Sequence, residues 1–189
     1  MKTIKKTTLI AAITAMAAFA VPSMASAAVW GPLNANKSLD ATNVTYTDQI
    51  PGYGGWTCNA QHLGVHVRVP ASSILDITAA SWTLCGGFGG YAGCVAVITP
   101  TGLPWTATAT SSTAVTFPIH AHVTFPCGGV PLDLNGSIAG TWSAATHTVT
   151  FPSGGAYSLT ETWPGSPGAL SHVKVEGAFH DSTNTLTLT

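Results

Sequence analysis

His120 and His122 stand two residues apart, and His62 and His66 four apart, in stretches where apolar and polar residues alternate. In an extended strand each set falls on one face, and in both cases it is the polar face. If the two strands were neighbours, four imidazoles would converge, a donor set suited to copper, nickel or zinc. No Asp or Glu stands in step with either set to orient the rings. The competing reading is that these are solvated polar positions on a chain that avoids charge.

The parts needed for hydrolysis are scarce. The seven carboxylates, Asp40, Asp48, Asp76, Asp133, Glu161, Glu176 and Asp181, are scattered singly, with no close pair to serve as glycosidase acid and nucleophile. No Gly-x-Ser-x-Gly elbow is present. These absences predict a protein that is not an enzyme and needs no cofactor.

Cys58, Cys85, Cys94 and Cys127 form an even set, which in an exported chain favours disulfides with three possible connectivities. Cys85 and Cys94 enclose eight residues, five of them glycine, and glycine permits the reversal that so short a loop requires. The expected pairing is Cys85–Cys94, leaving Cys58–Cys127. Zinc is the competitor, although no pair has the two-to-four-residue spacing of structural zinc sites.

Six tryptophans are present, and Tyr53-Gly54-Gly55-Trp56 and Phe88-Gly89-Gly90-Tyr91 set rings on glycine-rich segments. Exposed there, Tyr53, Trp56, Phe88 and Tyr91 would stack on sugars or touch an apolar surface. Trp105, Trp142 and Trp163 have the strand phase of core residues.

The elements that must position these groups are strands. Val115, Phe117, Ile119, Ala121, Val123 and Phe125 alternate with polar residues over one long run, as period two demands. Pro118 within it cannot donate to a ladder, so an edge or a bulge is expected there. Further alternating runs start at Gln61, Leu103, Leu132, Tyr157 and Val173, and weaker ones lie near Val44–Thr47, Ile74–Leu84 and Val95–Thr99. No segment beyond the leader carries a capped 3.6-residue stripe. The expectation is an all-β antiparallel sandwich or barrel, rich in hairpins and stapled by disulfides. One repeat is visible: Gly140 to Phe151 aligns with Gly177 to Leu188, each reading as a β-hairpin.

Residues 1–27 read as a secretory signal: Lys2, Lys5 and Lys6, an apolar stretch from Leu9 to Ala20, then Ala25-Ser26-Ala27. The stretch is too short to span a bilayer, and no later one is long enough, so no transmembrane anchor is expected. Residues 28–189 are expected to form one β domain. In that part three cations face seven carboxylates, a net charge of −4. Three cations cannot build a phosphate-binding groove, which excludes nucleic acid as a partner. Thr supplies the polar surface instead, and a surface with so little charge leaves strand edges undefended, so pairing between chains is physically open.

The order of pieces resembles a family of exported bacterial proteins, the protein activators of alkane oxidation and their actinobacterial relatives. The residues carrying it are Cys58 after an N-terminal strand, the glycine-rich Cys85-to-Cys94 segment, Gly102-Leu103-Pro104-Trp105 leading into a Thr-alternating strand, Cys127 ahead of the Gly140-to-Phe151 hairpin, and a last Thr-Leu-Thr-Leu-Thr strand. The resemblance implies an exported β-protein of the cell surface or biofilm, in contact with hydrophobic substrates, and supplies no catalytic residues. Three functions are therefore expected in order: a non-enzymatic secreted surface or matrix protein acting by adhesion, self-association or hydrophobic contact; a glycan- or small-ligand-binding module using the loop aromatics; and a His-dependent metal protein or enzyme.

Overall fold

The computed structural model describes residues 28–164 and 171–189, so the expected leader lies outside the described residues. Every regular element among them is a strand, and the pairings are antiparallel throughout. In chain order they are β1 (Trp30–Gly31), β2 (Asn36–Ala41), β3 (Val44–Asp48), β4 (Gly54–Val67), β5 (Ile74–Gly89), β6 (Val95–Pro100), β7 (Trp105–Ala109), β8 (Ala114–Thr124), β9 (Leu132–Ser143), β10 (Thr148–Phe151), β11 (Leu159–Thr162), β12 (Ser171–Asp181) and β13 (Thr187–Leu188). No helix among the described residues is long and apolar enough to cross a membrane.

Between sandwich and barrel, the ladders decide for a barrel. Five long strands, β4, β5, β8, β9 and β12, are joined at three places by short strands that share a position two at a time. β2 and β3 both lie between β12 and β4; β6 and β7 between β5 and β8; β10 and β11 between β9 and β12. The β4–β5 and β8–β9 ladders complete the ring. Closure into a ring removes free sheet edges along most of its length, although residues 78–84 of β5 and 117–120 of β8 face the gap between β6 and β7 without a ladder partner on that side. The ring thus covers much of the strand edge that the scarcity of charge leaves undefended.

The expected alternation holds in the long strands. Val115, Phe117, Ile119, Ala121 and Val123 of β8 are buried, as are Gln61, Leu63, Val65 and Val67 of β4. Inside the ring Trp30 meets Trp142 edge-on at 5.4 Å, and Tyr46 stacks on Trp56 at 5.4 Å. The buried Tyr46 hydroxyl accepts hydrogen bonds from Gln61 Nε2 at 2.6 Å and Trp82 Nε1 at 2.7 Å, which satisfies two donors that burial would otherwise strand. Pro118 is neither at an edge nor bulged. It faces Ser137 of β9, while on its other side β7 pairs with residues 115–116 and β6 with residues 121–124. The proline thus occupies the gap between two short strands, where its missing N–H costs no rung.

Two disulfides are present, but not those expected. Cys58 bonds Cys85, and Cys94 bonds Cys127. The reason is register. β5 runs on past Cys85 to Gly89, and the β5–β6 ladder sets Ala96, not Cys94, opposite Cys85. Cys85 faces inward and stands directly opposite Cys58 on β4.

The repeat is also used in an unexpected way. Its first copy is a hairpin, β9 with β10. Its second is not: after β12 the chain turns and β13 pairs with β1 instead. The two copies interlock, because β10 pairs along β12 from Thr148↔His180 to Phe151↔Gly177. Asp181, fully buried, holds the turn after β12 by accepting from the backbone N–H groups of Thr183, Thr185 and Leu186 and from the Thr183 hydroxyl.

Candidate functional site

Four expected histidines prove to be two separate pairs. β4 and β8 are not neighbours, since β5 and the β6/β7 position lie between them. Each ring instead meets the residue opposite it on the adjoining strand. His62 Nδ1 lies 2.7 Å from Asp40 Oδ1, His66 Nδ1 2.9 Å from Asn36 Oδ1, His120 Nδ1 3.0 Å from Asn135 Oδ1, and His122 Nδ1 2.7 Å from Asp133 Oδ1. All four are register partners. The acidic partners missing from the local sequence are therefore supplied across the ladder. No group of three or more His, Cys, Asp or Glu side chains able to hold a metal ion occurs among the described residues. An open groove of about 480 Å³ runs beside His62, Asp40, Ser81 and His180. Ser38 and Asp40 both address the same His62 nitrogen, which does not build a nucleophile–base–orienter relay.

The aromatic residues separate more sharply. Trp56 belongs to β4 and is fully buried, touching Tyr46, Tyr91 and Phe125, so the expectation of an exposed loop ring fails for it. Its phase in the strand, not the flanking glycines, sets its direction. Tyr53 is exposed, and Phe88 lies at the boundary of exposure. Tyr91 is half-buried and stacks on Phe125 at 4.7 Å. Trp163, expected in the core, is 48% exposed, and Tyr157 is exposed as well. β11 ends at Thr162, so the inward phase of Leu159 is not carried to Trp163.

Glycines bring these rings to one end. Gly54 has φ +83°, and a Cβ there would stand 2.2 Å from the Phe88 carbonyl oxygen; a Cβ on Gly87 would stand 2.2 Å from that of Tyr91. Only glycine lets the turn before β4 lie against the end of β5 and lets the β5–β6 turn fold back on its own strand.

At this end a cavity of about 140 Å³ opens, walled by Tyr53, Tyr91 and Trp163 with Ile50 beside them. Two carboxyl groups line it, Asp48 at the end of β3 and Glu161 in β11, 5% and 3% exposed. Both face the same cavity, near enough for the charge of one to act on the other. Burial, with the Asp48 carboxylate beside it, pushes Glu161 up to about 8. Asp48 Oδ1 accepts from Ile50 N at 2.7 Å and from the Ser171 hydroxyl, but Asp48 Oδ2 and Glu161 Oε1 have no partner among the described residues. Neither acid had been singled out from the sequence. The available signal was phase: Asp48 continues Val44 and Tyr46, and Glu161 continues Leu159, on the inward side of their strands.

A second surface adjoins. Leu84, Phe88, Val95 and Val97 face outward on β5 and β6, Leu84 being 74% exposed. Cys85 and Gly86 pair with Ala96 and Val95, so these apolar side chains flank one ladder.

The fold and these surfaces define a disulfide-stapled antiparallel β-barrel protein, and its disulfides fit an oxidising compartment. The chain belongs to the family described as alkane oxidation protein activator PraA/PraB-like, whose model matches residues 1–169 and stops short of β12. Among curated proteins and among solved structures nothing matches.

Proposed function

We propose that this chain is an exported, non-enzymatic protein of the cell surface or biofilm matrix that works by contact with hydrophobic substrates. One observation carries the reading: the outer face of β5 and β6 presents Leu84, Phe88, Val95 and Val97 where an exposed strand face ordinarily carries polar residues. The charge-poor Thr-rich surface around it imposes little repulsion on approach to an apolar phase. The family description, naming an activator of alkane oxidation rather than an enzyme, supports the same reading.

The test is attachment of purified protein to alkane droplets. Leu84 has φ 52°, a conformation that Asn tolerates better than Leu, so Leu84→Asn with Val95→Thr and Val97→Thr removes the patch at little cost to the fold. Attachment of the triple variant should fall at least tenfold. Unchanged attachment would refute the reading.

A second reading, a glycan- or small-ligand-binding module, is favoured by one observation: Tyr53 and Tyr91, singled out as loop rings, wall a single cavity. A glycan and small-ligand screen with Tyr53→Ala separates it from droplet attachment.

A further inference from the structure

We propose that the cavity between Tyr53, Tyr91 and Trp163 binds an organic ammonium group, seated on Asp48 and Glu161. This deepens the small-ligand reading and rests on it, by naming the chemistry of the ligand.

Two unpartnered oxygens, Asp48 Oδ2 and Glu161 Oε1, belong to side chains more than nine-tenths buried that line the same cavity. Burying two acids side by side is costly unless a proton or an opposite charge joins them. The chain provides no such charge among the described residues. Arg68 is committed to Asp76 at 2.8 and 2.6 Å, Lys174 to Glu176, and Lys37 to the Thr185 hydroxyl. Any compensating cation other than a proton comes from outside.

The walls choose the kind of cation. A hard divalent ion takes six to eight oxygen ligands, whereas this cavity offers two free carboxyl oxygens and is otherwise largely aromatic and aliphatic. Aromatic faces with an acid behind them suit an ammonium on a short alkyl stem: cation–π attraction at the walls and charge-assisted hydrogen bonds at the base. A neutral sugar would stack on the same rings but would make no charge pairing with the acids. The same ammonium chemistry occurs in a free amine and in the lysine side chain of another protein.

Binding is balanced by a proton. At neutral pH the cation replaces the proton shared by the pair, so one proton leaves Glu161 for solvent as the ammonium enters. The titratable groups that line the cavity with Glu161 are Asp48 from β3, Tyr53 from the turn before β4 and Tyr91 from the β5–β6 turn; Tyr91 is itself pushed up by burial and by the two acids, so it stays neutral.

The experiment is calorimetric titration of the full mature chain at pH 7 in two buffers of different ionisation enthalpy, with n-butylammonium, n-butanol, Nα-acetyl-lysine methylamide and calcium ion as separate probes. Saturable binding of butylammonium, at least tenfold tighter than butanol and with proton release, is expected. Binding of the lysine derivative as well would point to a protein partner, and its failure beside butylammonium to a free amine; either agrees with the ammonium assignment. Glu161→Gln, which keeps the shape and removes the repulsion, should abolish proton release and weaken binding at least tenfold, and Trp163→Ala should weaken it while leaving the melting temperature nearly unchanged. Equal binding of butanol, preferential binding of calcium, unaltered binding by Glu161→Gln, or no binding of either amine would overturn the proposal. Droplet attachment by the β5–β6 face is a separate readout, and its loss would leave these heats unaffected. If glycans or neutral ligands bind through Tyr53 while the amines do not, the small-ligand reading stands and the ammonium assignment alone falls.

Discussion

Asp48 and Glu161, far apart in the chain and on strands that do not pair with one another, line a single cavity at one end of the barrel. β12 links them, for its Ser171 donates to Asp48 and pairs in register with Glu161.

This pair predicts a pH dependence of stability. Glu161 titrates at about 8 in the folded chain, above the ordinary carboxylate value of 4.5. The folded state therefore holds a proton that the unfolded state has lost between those two values, and stability falls as pH rises through that window. Thermal melts should show a decline from pH 5 to pH 8 that Glu161→Gln flattens, the variant being the more stable at pH 8.

Asp181 predicts the opposite slope in acid. Burial alone would raise its carboxyl, but the hydrogen bonds from Leu186, Thr183 and Thr185 outweigh it and hold the group down at about 2. Its contribution is complete above the unfolded value near 3.8 and is lost as pH falls toward 2. Asp181→Ala should cost about 2–3 kcal/mol at neutral pH and far less at pH 2, measured by denaturant unfolding at both.

The cysteine connectivity is directly checkable. Non-reducing peptide mapping should return Cys58–Cys85 and Cys94–Cys127. Loops of 27 and 33 residues correspond to about 3–4 kcal/mol each in the chain-entropy account, so Cys94→Ala with Cys127→Ala should lower the melting temperature clearly while leaving a β spectrum.

Gly87 tests how the binding end is built. A Cβ there would collide with the Tyr91 backbone, not with a side chain able to move aside. Gly87→Ala should displace the turn that carries Tyr91, cost about 1–3 kcal/mol, and change tryptophan fluorescence through the contact of Tyr91 with Trp56. Gly86→Ala, whose Cβ meets nothing, is the matched control.

Period two exposed most of the barrel wall in advance. The inward residues of β4, β7, β8 and β9 follow from alternation alone, because one face of each strand is buried and the other is not. What alternation cannot carry is which strand lies beside which. The disulfides depended on that, since Cys58 and Cys85 meet only through the β4–β5 register. So did the histidines, whose partners Asp40 and Asp133 stand on the neighbouring strands. Trp56 was misplaced because glycines beside it suggested a loop, while those glycines serve close backbone approach within a strand. The Asp48–Glu161 pair was half legible. Each acid occupies an inward phase, an anomaly visible residue by residue, but only the closed ring makes the two anomalies one site.

β12 has a consequence for how the chain comes into being. It is the last long strand, and it alone bridges β2 and β3 on one side to β10 and β11 on the other. A polypeptide emerging N-terminus first therefore passes most of its birth as an unfinished cylinder with two adhesive margins. Whatever escorts it must shield those margins until the tail arrives, and a chain cut short ahead of Ser171 would retain them, turning a self-contained vessel into a template for polymerisation.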